Sequence, residues 1–171
     1  MKVYGATTDP TPEPTRRKVG IAEYAVSDGE AVITTSGLGS CLGVALRDPD
    51  AGVAGLIHVM LPRAEDSTST NPAKFADTGI DEMLSAMRDA GADPANVTAK
   101  IAGGSDMLEF SESEEGSIGQ RNIAATRERL ADHGIEVVAA DVGGDYGRSL
   151  EFDTESGALD VKSANAGNQT L

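Results

Sequence analysis

Residues 30–62 read EAVITTSGLGSCLGVALRDPDAGVAGLIHVMLP, and this stretch decides the fold. Its runs of β-branched and aliphatic residues at 31–35, 41–46 and 53–60 predict three short strands. Between the last two runs, residues 47–52 combine Asp, Pro and Gly, which favour a turn. We therefore expect an antiparallel hairpin in which the far end of the third strand returns to the start of the second.

The rest of the chain alternates between helical and strand patterns. Apolar residues at helical spacing predict one helix after Pro72, ended by Gly91, and a second from Ile118 or Gln120 to about Asp132. Further strands are predicted at 97–102, 135–139, 150–152 and 158–161. Strand clusters with two helices between them favour an α+β fold with mixed β-sheets. Residues 1–18, rich in Pro and Thr, predict a mobile leader, and residues 19–171 a single domain.

The chain is strongly acidic, with a formal net charge of −14 from 28 acidic and 14 basic residues. Such a field repels nucleic acid and anionic membranes, so we expect neither nucleic-acid binding nor membrane insertion. Arginines outnumber lysines and large aromatic residues are scarce, which is typical of proteins solvated by carboxylates in salty cytoplasm, as in a halophilic archaeon. An ordinary acidic bacterial protein is the alternative.

The cysteine content favours a reducing compartment, and the hydropathy of the chain argues against a membrane helix. A lone cysteine, Cys41, excludes an internal disulfide and a thiolate metal cage. No apolar run approaches the roughly 20 residues that a membrane helix needs. We therefore expect a cytoplasmic protein without a metal.

Cys41 is the candidate nucleophile, since it follows the flexible segment Gly-Leu-Gly-Ser. Backbone N–H groups in such a segment, at Gly39 and Ser40, could receive an oxyanion. A thiol needs a base, and His58 lies in an apolar strand that the hairpin places opposite about Cys41. Thr35 is the nearest hydroxyl that could orient the ring. A small buried cysteine and a core histidine remain the alternative.

Further motifs are spread along the chain. The segments are 35–44, 55–62, 74–77 with the following helix, 99–107, 118–122, 141–144 and 147–148. Together they closely resemble the CheD chemoreceptor glutamine deamidases, in the family's order over about residues 19–162, with mild departures at Ala102 and Ser105. This ordered set is far more specific than one glycine motif.

The resemblance implies roles, a fold and partners. Cys41 matches the family's nucleophile, His58 its general base and Thr35 its third catalytic position. The family's relation in fold to glutamine-deamidating toxins implies a layered sandwich of mixed sheets with flanking helices. Expected substrates are methyl-accepting chemotaxis receptors, whose glutamines become glutamates through a thioester without any cofactor. The chemotaxis phosphatase CheC is the expected partner.

Two other functions stay open at this point. The chain could act as a non-catalytic binding partner that regulates CheC, or as a thiol hydrolase of small amides or peptides. The second histidine, His133, stands before Gly134 at the predicted end of a helix. A cation there favours the helix dipole, so we interpret His133 as a capping residue and not as a catalytic one.

Overall fold

The protein is described by a computed structural model that covers residues 15–106, 116–164 and 166–171. Within these residues, ten strands form two five-stranded mixed sheets. The first sheet has the order β1 (Thr15–Lys18), β3 (Ala31–Leu38), β8 (Arg148–Asp153), β9 (Leu159–Ser163) and β10 (Gly167–Thr170). The second has the order β2 (Tyr24–Ser27), β5 (Val53–Val59), β4 (Leu42–Asp48), β6 (Thr98–Gly103) and β7 (Glu136–Val142).

Two pairs of neighbouring strands, β1 with β3 and β6 with β7, are parallel, and the other pairs are antiparallel. The described helices are α1 (Ala76–Asp89) and α2 (Ile118–Asp132). Short 3₁₀ turns occupy Ala64–Asp66, Pro72–Lys74 and Pro94–Asn96.

The molecule has three layers, namely the first sheet, the second sheet and the helices, with an apolar cluster between each pair of neighbouring layers. One apolar cluster joins the two sheets and includes Ile33, Ala45, Leu56, Leu150 and Phe152. The other cluster joins the opposite face of the second sheet to the helices. Strand β5 lies between both clusters, so all seven of its residues are buried. The predicted α+β sandwich of mixed sheets with flanking helices is therefore confirmed.

The central hairpin forms, but its register differs from the prediction. Strand β4 continues to Asp48, which pairs with Val53, so the loop between them contains residues 49–52. The Asp48 carboxylate accepts hydrogen bonds from the backbone N–H groups of Asp50 and Ala51 and so closes this loop. As a result, Gly43 and not Cys41 lies opposite His58. The predicted pairing of Cys41 with His58 is wrong by two residues, because the turn is centred one residue later than expected.

Three strands, β1, β2 and β10, were not predicted, and the leader is shorter than predicted. Strands β1 and β10 are exposed and polar along their whole length, so they lack the alternation that marks a half-buried strand. Strand β1 pairs with β3 from Thr15 onwards, and the assignment of residues 15–18 to a mobile leader is therefore wrong. The remainder of the predicted leader, residues 1–14, lies outside the described residues.

Helix α2 approaches the second sheet closely because its first turn carries Gly119. A Cβ atom at Gly119 would lie 2.4 Å from the carbonyl oxygen of Ser105 and 2.5 Å from that of Gly104. The helix starts at a capping box in which the Ser117 hydroxyl and the Gln120 side chain exchange hydrogen bonds with backbone N–H groups. The contact with Gly104 and Ser105 thus fixes how deep α2 sits.

We expect Gly119→Ala to lower the free energy of unfolding by about 1–3 kcal/mol, the usual cost of forcing extra volume into a packed site. Chemical denaturation measures the change. Gly29→Ala is the matched control, because a Cβ at Gly29 meets nothing within 4 Å. Equal stabilities of the two variants would contradict the close approach of α2.

Candidate active site

The three residues selected from the sequence lie at one end of the layer between the sheets. Thr35 is on β3 of the first sheet, whereas Cys41 directly precedes β4 and His58 is near the end of β5 in the second. Thr35 and His58 are buried, and Cys41 is half-buried against the apolar cluster between the sheets. The positions of these three residues along their strands therefore bring them to the same end of the layer between the sheets.

Cys41 lies diagonally from His58 at the end of the hairpin, one residue before the paired part of β4. Gly43 lies directly opposite His58, and Cys41 precedes Gly43 by two residues, which puts it on the same face. Diagonal neighbours in an antiparallel pair are about 7–8 Å apart, within reach of long side chains. Since the residue directly opposite His58 is a glycine, no side chain from β4 stands between the ring and the cysteine.

A hydrogen bond between the two sheets joins Thr35 to His58. The Thr35 Oγ1 atom lies 2.7 Å from His58 Nδ1 and also 2.7 Å from the carbonyl oxygen of Val19. A carbonyl can only accept, so the single hydroxyl proton goes to Val19, and Nδ1 must donate to Thr35. The neutral ring therefore carries its proton on Nδ1 and its free electron pair on Nε2.

The backbone of His58 is fixed from both sides. Strand β4 pairs with it on one side, while on the other its N–H donates to the carbonyl of Glu23 and its carbonyl accepts from Ala22. Ala22 has a φ of 61°, a left-handed conformation that L-residues seldom adopt. Its carbonyl is held by the side-chain amide of Asn71. The strained turn thus helps to lock the position of the ring.

Burial keeps both members of the Cys–His couple neutral. The His58 side chain is fully buried, which lowers its pKa to about 4. Burial also raises the pKa of the Cys41 thiol. Among the described residues, Nε2 of His58 has no hydrogen-bond partner. The resting site therefore holds a thiol and an imidazole with an unused basic nitrogen, and not a thiolate–imidazolium pair.

The turn before Cys41 is held by its carbonyl groups. The carbonyl of Gly39 accepts from the N–H of Ser105, and that of Cys41 accepts from the N–H of Gly104. Gly39 donates its own N–H to Gly37 at 3.1 Å, so this donor is already used within the turn. Of the two predicted oxyanion donors, Ser40 therefore fits better than Gly39. Ser40 is exposed, so the residue before Cys41 lies at the surface of the protein.

His133 lies outside this site, at the C-cap of α2. Its Nε2 is 2.7 Å from Asp81 on α1, and Asp81 is also bound by Arg129. The predicted capping position is confirmed. In the part of the chain that the structure describes, no three His, Cys, Asp or Glu side chains are grouped so as to hold a metal ion. No helix within residues 15–106, 116–164 and 166–171 is long and apolar enough to cross a membrane.

Two contributors to the site carry no side-chain signal in the sequence. The Val19 carbonyl decides the tautomer of His58, but a backbone acceptor is invisible to residue patterns. Gly43 lets Leu150 of the first sheet pack directly against β4, since an ideal Cβ at Gly43 would lie 2.4 Å from Leu150 Cδ1. Only the corrected register of the hairpin identifies Gly43 as the residue opposite His58.

We expect His58 to make the fold less stable in acid. Its pKa is about 4 in the folded protein and about 6.5 in an unfolded chain. Over this window the unfolded state binds more protons, so the free energy of unfolding falls as the pH falls from about 6.5 to 4. Urea unfolding of the wild type and His58→Gln at several pH values measures the difference, since the carboxylates are common to both. Parallel pH profiles would contradict a buried neutral ring.

Comparisons with known proteins agree with this architecture. The family model described as CheD chemotactic sensory transduction matches residues 60–163, a segment that begins just after His58. The probable chemoreceptor glutamine deamidase CheD of Haloarcula marismortui, a halophilic archaeon, is 54% identical over 174 residues and covers 100% of both chains. The chemoreceptor glutamine deamidase CheD of Thermotoga maritima is 42% identical over 154 residues, covering 90% of this chain and 96% of its own.

A solved structure extends the likeness in fold alone. A Neisseria meningitidis protein of the DUF152 family superposes with a TM-score of 0.54 at 14% identity, over 78% of this chain and 65% of that one. The resemblance inferred from the sequence is confirmed, and so is the expected relation to salt-adapted proteins. With a matching family model over more than half its length and a relative aligned along its whole length, the chain belongs to the CheD family.

Proposed function

We propose that this chain is a protein-glutamine deamidase that converts glutamines of methyl-accepting chemotaxis receptors to glutamates. Cys41 is the nucleophile, His58 the general base and Thr35 the residue that orients the ring. The relatives named as chemoreceptor glutamine deamidases support the reaction class. The observation that carries the mechanism is the Thr35–His58 hydrogen bond, which leaves Nε2 as the basic nitrogen of a ring at the same end of the layer between the sheets as Cys41.

Acylation starts from the neutral couple. His58 Nε2 takes the proton of the Cys41 thiol as the sulfur attacks the side-chain carbonyl carbon of glutamine. The imidazolium keeps its Nδ1–H bond to Thr35, a neutral acceptor that does little to stabilise the positive charge. Because burial lowers the pKa of His58 to about 4, the imidazolium is a strong acid. It therefore readily gives its proton to the departing ammonia, and a thioester remains.

Deacylation uses the same ring in reverse. After ammonia leaves, Nε2 is again unprotonated and can take a proton from a water molecule that attacks the thioester carbon. The second tetrahedral intermediate expels the Cys41 sulfur, which recovers the proton from His58, and glutamate is released. In both steps the backbone N–H groups of Ser40 and Cys41 are the donors that we assign to the developing oxyanion.

The product explains the biological use of the reaction. Each conversion replaces a neutral amide by a carboxylate, which adds a negative charge to the receptor and creates a group that can be methylated. We place the reaction in the cytoplasm, where one cysteine stays reduced. The deamidase domain comprises residues 19–171 together with the strand at Thr15–Lys18.

A non-catalytic regulator of CheC is the second candidate. It is favoured by the raised pKa of the Cys41 thiol and by His58 Nε2, which has no hydrogen-bond partner among the described residues, since neither feature marks a nucleophile activated at rest. Catalytic hydrogen bonds often tighten only when substrate binds, so we prefer the enzymatic function. Binding to CheC remains a prediction that either function accommodates.

We expect Cys41→Ala to abolish deamidation while the fold and CheC binding persist. Purified receptor fragments are incubated at high salt with each variant, and mass spectrometry detects the mass shift from glutamine to glutamate. His133→Gln is the control, since this ring lies at the far end of α2 and should leave the rate unchanged. Full activity of Cys41→Ala would exclude the thiol mechanism, and no deamidation by the wild type would favour the regulator.

A further inference from the structure

Asn122 joins the segment that carries the nucleophile to the strand that carries the base. Its side chain is fully buried, and Nδ2 donates to the carbonyl of Ser40 at 2.9 Å and to that of Met60 at 3.1 Å. Ser40 directly precedes Cys41, and Met60 follows His58 by two residues. One side-chain amide on α2 therefore ties together the backbones on either side of the catalytic couple.

The bond to Ser40 also aims a backbone donor. A trans peptide unit is planar, and its C=O and N–H groups point in opposite directions. Since no cis peptide bond occurs among the described residues, a fixed Ser40 carbonyl fixes the direction of the Cys41 N–H. In the same way, the bond from Ser105 to the Gly39 carbonyl fixes the Ser40 N–H. The two N–H groups that we assign to the oxyanion are thus oriented by the hydrogen bonds that hold the carbonyl groups of their own peptide units.

The other end of the Asn122 amide is not satisfied. Its Oδ1 is buried and has no hydrogen-bond partner among the described residues. A flipped amide would place this oxygen against two carbonyl oxygens, so the orientation with Nδ2 toward Ser40 and Met60 is the one that bonds. An unsatisfied buried acceptor opposes stability. The amide is kept in spite of this cost, and its two Nδ2 bonds hold the backbones of Ser40 and Met60 in fixed positions.

We propose that Asn122 is a positioning residue for the deamidation, one that sets the spacing of Cys41 and His58 and aims the Cys41 N–H at the oxyanion. This inference rests on the proposed function. Asn122 itself touches no reacting atom and acts through the backbone of Ser40 and Met60. The close approach of α2 at Gly119, one turn earlier, is what lets a side chain as short as asparagine reach both carbonyls.

Asn122→Leu tests the proposal, because leucine has nearly the same shape without donor or acceptor. We expect kcat to fall roughly 10- to 100-fold, less than the loss of up to about 10³-fold seen when a direct oxyanion donor is removed. KM should stay within about threefold, since the change affects the transition state and not the docking of the receptor. Rates are expressed per folded protein, with the folded fraction of each variant taken from its chemical denaturation curve, so that misfolded protein is not counted.

Thr126→Val is the matched control. Thr126 lies one turn further along α2, is equally buried, and its Oγ1 also has no partner among the described residues. This variant should keep the wild-type kcat. Asn122→Ala serves as a second variant if leucine prevents folding, and it should show the same selective loss of kcat.

The outcomes separate the inference from the function beneath it. If Cys41→Ala is inactive but Asn122→Leu and Asn122→Ala match Thr126→Val in kcat per folded protein, the role of Asn122 is refuted and the mechanism stands. A drop in melting temperature with unchanged kcat per folded protein refutes it too, because it shows a structural role only. Activity of Cys41→Ala refutes the thiol mechanism itself, whatever Asn122 does.

Discussion

One hydrogen bond between the two sheets, from His58 Nδ1 to Thr35 Oγ1, determines what the rest of the site can do. It works because Thr35 has a single proton and gives it to the Val19 carbonyl. The ring must then donate from Nδ1, and its basic nitrogen is left on the face shared with Cys41. In the proposed mechanism the sandwich therefore contributes to the chemistry, since it brings β3 and β5 together from separate sheets.

The group that orients the His58 ring is the neutral hydroxyl of Thr35 and not a carboxylate, and this affects the pKa of the ring. A carboxylate would hold the imidazolium and raise the pKa of the ring, whereas a neutral hydroxyl in a buried site leaves it low. In the proposed mechanism the couple rests as thiol and imidazole, and charge separates only while the amide is attacked.

Most of the fold could be predicted from sequence, and so could the three residues that the structure brings to one end of the layer between the sheets, for reasons that differ by element. Apolar runs such as 53–60 and the helical spacing after Pro72 mark buried elements, so their strands and helices were found. The polar edge strands β1 and β10 bury nothing and left no pattern. The hairpin register was wrong by two residues, because Asp48 extends β4 before it closes the turn. The two hydrogen bonds of Asn122 to the backbone depend on how closely α2 packs against the second sheet, which no local pattern encodes.

The tautomer and charge of His58 test this account most directly. Nitrogen NMR of the ¹⁵N-histidine-labelled protein near neutral pH resolves both nitrogens of both rings, and His133→Gln assigns the signals. We expect His58 to be neutral with its proton on Nδ1, and Thr35→Val to release that preference. A neutral ring protonated on Nε2, or an imidazolium paired with a Cys41 thiolate, would contradict the mechanism derived from the Thr35 bond.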